Sequence, residues 1–440
     1  MKKVQDKENA KVLFTLLNIC LFLILFLITI VNFYEFVNFY LYGYIIIAFI
    51  YLIIFIIFGN MFEIFELGET TVKDLFLSYS LSLFITNFLI YFINSLISFR
   101  MVSVLPLLIL QIVDMVIAAY LLLVENRYIR DKFPVPKAIA IFGEPNYEIL
   151  EKIYKYRDIL VNVNKKVDIK KINFRKLDDL LKDYERVITV DVDHEHKKKI
   201  FKACYERRIR VLDIPSIADM LIASSDAMHV IDTPILKINK FGPTALEGII
   251  KRAADIICSL ILIVLTSPIM LGVSIAIKIN DGGDILFKQD RLTKDEKVFK
   301  IYKFRSMIMN AEKKTGAVLA SEDDKRITGV GKFIRKTRFD ELPQLFNILK
   351  GDMTFVGPRP ERPEIYKDIL KEIPEFKYRL VVKAGLTGYA QVYGKYNTSM
   401  RDKLLLDIYY IENYKLTDDI KLLLQTLKIV FKPESTEGIK

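Results

Sequence analysis

The sequence predicts a membrane protein in three parts: four N-terminal transmembrane helices, a small α/β domain, and a basic α/β C-terminal domain whose own apolar helix re-enters the bilayer. Three observations predict this. Val12 to Phe33, Tyr42 to Phe58, Leu75 to Phe99 and Met101 to Val124 are apolar runs, each about the length that crosses ~30 Å of hydrocarbon as a helix. Short apolar strands then alternate with charge-rich helical segments. A further apolar run near residue 260 is interrupted by Ser267-Pro268 and is basic at both ends.

Composition fits a chain that lives partly in lipid, with 52% apolar residues and a mean hydropathy of +0.27. The formal charge is +11, which suits anionic headgroups, diphosphates or nucleic acid without choosing among them. Cys20 and Cys258 lie in apolar runs and Cys204 stands alone, so neither a disulfide framework nor a thiolate metal site is spaced here. His194, His196 and His229 form no metalloprotease motif.

The first apolar run continues into Asn32-Phe33-Tyr34-Glu35 without a small-residue cleavage site and is expected to be retained. Lys2, Lys3, Lys7 and Lys11 precede it, while Arg127, Arg130, Lys132 and Lys137 follow the fourth run. Both ends therefore face the cytoplasm by the positive-inside rule. Arg100, in the turn between the third and fourth runs, is an outside exception. Residues 1–130 are the expected transmembrane domain.

Pro134 and Pro136 mark a linker into a second domain, 131–240. Its strands read as Ala138 to Phe142, Val187 to Val190 and Arg210 to Ile214, a small Rossmann-like arrangement centred on about 137–225. Gly143-Glu144-Pro145 after the first strand lacks the glycines a dinucleotide pyrophosphate requires, so a regulatory or assembly role is expected, dimerisation included. Asp191-Val192-Asp193 has two readings: a metal-binding acidic pair of a glycosyltransferase, or caps of the helix that begins near His194.

The third domain, 241–440, opens with the apolar run Ile256 to Ile277, flanked by Lys251, Arg252 and Lys278. An ordinary fifth crossing would carry the rest of the chain outside. Basic flanks and a proline near the middle instead suggest a re-entrant helix, 251–278, whose freed backbone groups need Ser267 or neighbouring protein as partners.

Beyond it the chain turns basic. Phe299 to Arg305 alternates like a strand and places Lys303 and Arg305 on one face, either a phosphate cradle or a solvated edge. In Arg335-Lys336-Thr337-Arg338-Phe339-Asp340-Glu341-Leu342-Pro343, the helical spacing of Leu342, Leu345, Phe346 and Leu349 sets Asp340 and Glu341 at a helix N-terminus. Attack at phosphorus needs an ionised carboxylate, cations to offset diphosphate charge and a bridging metal. Asp340, the Arg335/Lys336/Arg338 cluster and Glu341 can supply these; an N-cap beside a membrane-surface patch is the alternative. Gly357-Pro358-Arg359-Pro360 holds an arginine between residues of fixed φ, suited to a bidentate phosphate contact or to a rigid turn. Asp407, Tyr409, Tyr410 and Asp419 accompany a C-terminal helix, about Asp418 to Phe431, that can lie in the membrane interface or pack on the core.

These residues resemble the bacterial sugar transferases, or polyprenyl-phosphate phosphoglycosyl transferases. The match runs through Lys251-Arg252-Ala253-Ala254-Asp255, Ser267-Pro268, Leu286-Phe287-Lys288-Gln289, Tyr302-Lys303-Phe304-Arg305-Ser306-Met307, Asp340-Glu341-Leu342-Pro343-Gln344 and Gly351-Asp352-Met353 through Val356-Gly357-Pro358-Arg359-Pro360. The four helices and the α/β domain resemble the larger members, whose catalytic unit is the C-terminal part alone. The resemblance implies a monotopic fold with a re-entrant helix broken at Ser267-Pro268. It implies transfer of a sugar-1-phosphate from a UDP-sugar to undecaprenyl phosphate, with release of UMP through a phosphosugar-aspartyl intermediate on Asp340. By the same resemblance Glu341 binds Mg²⁺, Lys303, Arg335 and Arg359 contact phosphates or the nucleotide, and Asp419 is an acid of the same site. It further implies the bacterial inner membrane, a catalytic domain on the cytoplasmic face, and a role in starting polysaccharide or glycoprotein glycan assembly. Glucose or galactose phosphate is the family-level expectation, although no motif encodes the sugar. The chain departs from the family pattern at Leu292-Thr293-Lys294-Asp295, where a glycine is usual.

Two rivals stand beside this expectation. One is a metal-dependent glycosyltransferase that uses Asp191 and Asp193 and leaves UDP; the other is a non-enzymatic assembly scaffold. Nucleic-acid binding is disfavoured, because the basic residues cluster beside membrane segments without aromatic stacking platforms.

Overall fold

The computed structural model describes residues 2–34, 41–143, 162–238, 241–309, 324, 326–394 and 398–430. Glu35, Glu144, Pro145 and Phe431, which entered the sequence reading, lie outside the described residues. Contacts divide the chain into two compact units, Met1–Pro215 and Ser216–Lys440.

The first unit begins with α1 (Lys2–Phe33), α2 (Leu41–Met61), α3 (Val72–Ile97) and α4 (Leu105–Lys132). All four are long and apolar enough to cross a bilayer, as is one helix of the second unit. Such helices are those of a membrane protein. Pro106 lies in the first turn of α4, where its missing N–H costs nothing. That moves the start of the helix past Met101, where the apolar run begins. Aromatic rings fill the bundle, with Phe26 stacked on Tyr51 at 4.0 Å. A polar seam runs beside them: Asn18 Nδ2 lies 3.3 Å from both Tyr79 Oη and Glu125 Oε2, and Asn87 Nδ2 donates to Gln111 Oε1 at 2.9 Å. Polar side chains between helices give the bundle directional contacts that lipid cannot replace.

The rest of this unit is a four-stranded parallel sheet, β1 (Lys137–Phe142), β2 (Asn162–Asp168), β3 (Arg186–Val190) and β4 (Arg210–Ile214), in the order β2-β1-β3-β4. Ile139, Ile141 and Val187 pack on one side, Ala138, Ala140 and Ile188 on the other, which is why the two central strands, β1 and β3, read as continuous apolar runs. Helix α5 (His194–Glu206) follows β3. Its cap is Asp193, whose carboxylate accepts from His196 N at 3.2 Å and lies 2.5 Å from His196 Nδ1. These bonds hold the carboxyl below its usual range. Of the two readings of this acidic pair, capping is the one whose hydrogen bonds are present.

The second unit opens with α6 (Ile217–Ala223), whose Ile217, Met220 and Leu221 pack against Leu292, Phe376, Leu404 and Ile408. An antiparallel hairpin, β5 (Asp226–Val230) and β6 (Thr233–Lys237), leads to the 37-residue α7 (Ala245–Asp281). Thr244 and Glu247 form a capping box at its start, and Gly282, at φ 69°, ends it in the left-handed conformation. The helix runs through Ser267-Pro268 without interruption. Pro268 has no N–H for the Val264 carbonyl four residues back, and Ser267 Oγ donates to that oxygen at 2.8 Å. The freed backbone acceptor is thereby satisfied from within the helix, as lipid surroundings demand. Leu260, Val264, Leu265, Leu271 and Ile275 are exposed along α7.

Both halves of α7 are nonetheless fastened to the C-terminal domain. Asp255 accepts from Thr354 Oγ1 and Phe355 N, each at 3.1 Å. Val273 and Ile277 are buried against Phe304 and Ile334, with Phe339 and Leu342 packed alongside. Above α7 lie the antiparallel hairpin β7 (Leu286–Leu292) and β8 (Val298–Phe304), then α8 (Gly329–Lys336), α9 (Gln344–Lys350), the parallel pair β9 (Thr354–Val356) and β10 (Gly385–Thr387), α10 (Met400–Glu412) and α11 (Leu416–Val430). Their shared core includes Phe299, Ile301, Leu345, Ile348, Met353, Tyr410 and Leu422.

Candidate active site

The segment between α8 and α9 is a tight turn. Helix α8 ends at Thr337; Arg338 then adopts φ 59° and ψ 14°, a left-handed conformation that costs an arginine about 1 kcal/mol. Phe339–Glu341 follows as a 3₁₀ turn, closed by Glu341 N donating to Arg338 O at 3.1 Å and Leu342 N to Phe339 O at 3.2 Å. Asp340 and Glu341 therefore precede α9 in a turn of their own, one step earlier than the helix N-terminus expected from the leucine spacing. Pro343, which cannot donate, separates the turn from the helix. Phe339 and Leu342 face α7, while Asp340 is 8% exposed.

Cations surround the carboxylates. Lys303 Nζ, on β8, donates to Glu341 Oε1 at 2.8 Å, and Arg359 Nη2 lies 4.0 Å from the same oxygen. Burial and the Glu341 charge push the Asp340 carboxyl up, against the pull of Lys303, Arg335 and Arg338. Burial also opposes ionisation of Glu341, but Lys303, Arg359 and Arg338 outweigh it and hold that carboxyl down. The two carboxylates titrate as a pair, with Asp340 pushed up and Glu341 held down.

Asn347 sets the spacing between the turn and β8. It is fully buried on α9; its Oδ1 accepts from Tyr302 N at 2.9 Å and its Nδ2 donates to Lys300 O at 2.8 Å. The free edge of the hairpin is thus covered one residue from Lys303. Arg252, on α7, donates to the Ile348 and Leu349 carbonyls at 2.7 Å each and closes the far end of α9. The loop bearing Arg359 is packed backbone against backbone: a Cβ at Gly357 would meet Lys383 O at 2.4 Å, and one at Gly385 would meet Gly357 N at 2.1 Å.

Of the residues singled out from sequence, Lys303, Arg335, Arg338, Asp340, Glu341 and Arg359 gather around this turn. Arg305 goes elsewhere: β8 ends at Phe304, and Arg305 pairs with Asp281 at the end of α7. Asp419 sits with Lys251 of α7 and with Tyr410 and Tyr414, whose hydroxyls lie 2.7 and 3.2 Å from its carboxylate. Its hydrogen bonds among the described residues run to those groups rather than to the Asp340–Glu341 turn. Ser267 and Pro268 lie inside α7. Asn347 and the Arg252 contacts are the parts of the site that the sequence reading did not single out; each depends on partners distant in the chain.

A resident metal cage would need more ligands than gather here. Among the described residues no group of three or more His, Cys, Asp or Glu converges. Two neighbouring carboxylates beside a cationic pocket do fit Mg²⁺ that shares its coordination with diphosphate oxygens, the usual manner for that ion.

Residues 246–433 match the bacterial sugar transferase family. The chain is 38% identical over 236 residues to the UDP-N-acetylgalactosamine-undecaprenyl-phosphate N-acetylgalactosaminephosphotransferase of Aeromonas hydrophila, covering 53% of this chain and 55% of that protein. It is 34% identical over 236 residues to the undecaprenyl-phosphate galactose phosphotransferase of Salmonella typhimurium, covering 50% and 48%. The matches thus span about half the length of these relatives. A shorter Bacillus subtilis protein, named for undecaprenyl-phosphate N-acetylgalactosaminyl 1-phosphate transfer, is 50% identical over 131 residues, 73% of its length and 30% of this chain. With the ordered motifs, the carboxylate turn and these matches in one C-terminal unit, the chain belongs to the bacterial sugar transferase family.

Proposed function

We propose that this protein transfers a hexose- or N-acetylhexosamine-1-phosphate from a UDP-sugar to undecaprenyl phosphate, releasing UMP. The observation that carries this reading is the Asp340–Glu341 turn, in which two adjacent carboxylates lie among Lys303, Arg335, Arg338 and Arg359. A diphosphate brings charge that such cations offset, and its phosphorus needs a carboxylate nucleophile held close. The names of the relatives supply the substrate classes.

In this mechanism Arg359, Arg335 and Lys303 hold the diphosphate so that the sugar-bearing phosphorus faces Asp340. The Asp340 carboxylate attacks that phosphorus, forming an acyl phosphate, and the anhydride bond breaks with its electrons leaving on the UMP oxygen. A phosphate oxygen of undecaprenyl phosphate then attacks the same phosphorus; the acyl phosphate bond breaks and Asp340 is regenerated as a carboxylate. Glu341 and Asp340 would hold Mg²⁺, which when bound neutralises charge on the diphosphate. Lys303 pairs with Glu341 and favours its ionised form beside the reacting group.

Phe339 and Leu342 of the carboxylate turn pack against Val273 and Ile277 of α7, and on this reading α7 would bring the membrane that holds the acceptor lipid close to Asp340. We read α7 as re-entrant, with both ends on the cytoplasmic face of the bacterial inner membrane, because Lys251 and Arg252 before its apolar stretch and Lys278 after it are alike basic. Such a protein would begin the assembly of a polysaccharide or glycoprotein glycan. The test is nucleotide release by detergent-purified protein given UDP-sugar, Mg²⁺ and undecaprenyl phosphate. UMP release that disappears in Asp340→Asn is expected; UDP release, or UMP release unchanged by that substitution, would overturn the proposal.

A further inference from the structure

We infer that the buried ion pair Arg379–Asp407 is a positioning pair: acting through Glu361, it sets where Arg359 stands over the Asp340–Glu341 turn. This rests on the phosphosugar-transfer reading above.

Arg379 lies in the 3₁₀ segment Pro374–Val381 and Asp407 in α10, and they are 2% and 1% exposed. Arg379 Nε and Nη2 both donate to Asp407 Oδ2, at 2.8 and 2.7 Å. The remaining nitrogen, Nη1, reaches out of the pair to 3.7 Å from Glu361 Oε1. Glu361 is two residues from Arg359, and Pro360 between them has a fixed φ, so displacement of one is passed to the other. Backbone bonds fix the rest of the segment: Gly357 N donates to Thr387 O at 2.9 Å, Gly385 N to Pro358 O at 2.9 Å, Leu292 N to Glu361 O at 3.0 Å, and Arg291 Nη1 to Pro360 O at 3.1 Å. Glu361–Arg379 is thus a charged tether on a loop whose main chain is also held at several points.

Stability does not account for such a pair. Both side chains are almost fully buried, and the Phe376 ring lies 4.7 Å from the guanidinium. In such surroundings an apolar pair of similar volume usually serves as well or better, because desolvating two charges offsets their attraction. What the ions add is direction. One carboxylate orients the guanidinium, and the guanidinium fixes a second carboxylate next to the phosphate-binding arginine. Lys403 and Arg359 also act electrostatically in this cluster, and Lys403 is pushed below its usual range by burial, beside Glu361 and Arg379.

The test is a double-mutant cycle on the full-length protein in detergent micelles, read as UMP release with undecaprenyl phosphate. Asp407→Asn is expected to raise the KM for UDP-sugar by between about ten- and a hundredfold, the usual consequence of a misplaced binding group, while the KM for undecaprenyl phosphate stays put. In an Arg359→Ala background, Asp407→Asn should add nothing further. Glu361→Gln, outside the buried pair, should reproduce the selective KM effect and carries the test if Asp407→Asn does not fold. Additive losses, or equal losses for both substrates, would overturn the inference. If the wild-type protein itself releases no UMP from UDP-sugar, the parent reading falls; if it does and the cycle is additive, only the positioning role falls.

Discussion

Replacing Asn347 with leucine tests how the carboxylate turn and the Lys303 strand are held together. The side chains are similar in volume, so the change is mainly one of polarity. Leucine can neither accept from Tyr302 N–H nor donate to the Lys300 carbonyl, the two bonds made at 2.9 and 2.8 Å by a fully buried amide. A buried backbone group left without its partner costs about 1–3 kcal/mol, so losing both costs about 2–6 kcal/mol by the same rule. For a unit of this size a kilocalorie moves the midpoint by roughly 2–4 °C, which predicts a fall of about 4–24 °C. The chain contains no tryptophan, so far-ultraviolet circular dichroism of the detergent-solubilised protein is the suitable probe. UMP release should fall as well, since Lys303 adjoins the freed strand edge. A midpoint within about 2 °C of wild type would refute the reasoning, because two orphaned buried groups cannot be that inexpensive.

The pH dependence follows from the carboxylate pair. Burial and Glu341 raise the Asp340 carboxyl; in the proposed mechanism the ionised form is the nucleophile, so kcat/KM should be lost as pH falls through a value above the ordinary aspartate range, and Lys303→Gln should move that acidic limb to still higher pH. A limb that does not move would exclude Lys303 from this control. Gly357→Ala places a Cβ 2.4 Å from the Lys383 carbonyl; about 1–3 kcal/mol of destabilisation is expected, together with reduced UMP release, and wild-type values in thermal melts and turnover would refute the close-packing account. Asp191→Asn and Asp193→Asn should leave UMP release at the wild-type rate; loss of nucleotide release in either would bring the glycosyltransferase reading back.

What could be read from sequence divides along a physical line. The long apolar helices and strands β1 and β3 announce themselves because lipid around the helices, and burial on both faces of these strands, demand uninterrupted apolar residues; β4, at one sheet edge, has no fully buried residue and is legible only from its place between helical segments. Strand β2, Asn-Val-Asn-Lys-Lys-Val-Asp, does not announce itself, since at the other sheet edge only one of its residues is fully buried. The need of α7 for Ser267 as a backbone partner follows from proline chemistry alone, and the hydroxyl meets it. Long-range pairing is another matter. Alternation groups Lys303 with Arg305, but the strand stops at Phe304, and Arg305 turns to Asp281 instead of the carboxylate turn. The left-handed backbone at Arg338 gives no compositional sign, because arginine has no preference for positive φ. Asp407 draws notice in sequence only beside the C-terminal helix and Arg379 not at all; only the fold brings them together as a buried pair.

The fastening of α7 means that the protein offers no obvious place to cut a water-soluble fragment. Removing 245–281 would take away Arg252 from the end of α9 and Asp255 from the start of β9. It would also strip Val273 and Ile277 from Phe304, Ile334 and the underside of the carboxylate turn. The apolar helix is keel and floor at once, so detergent or lipid has to accompany the C-terminal unit through every purification.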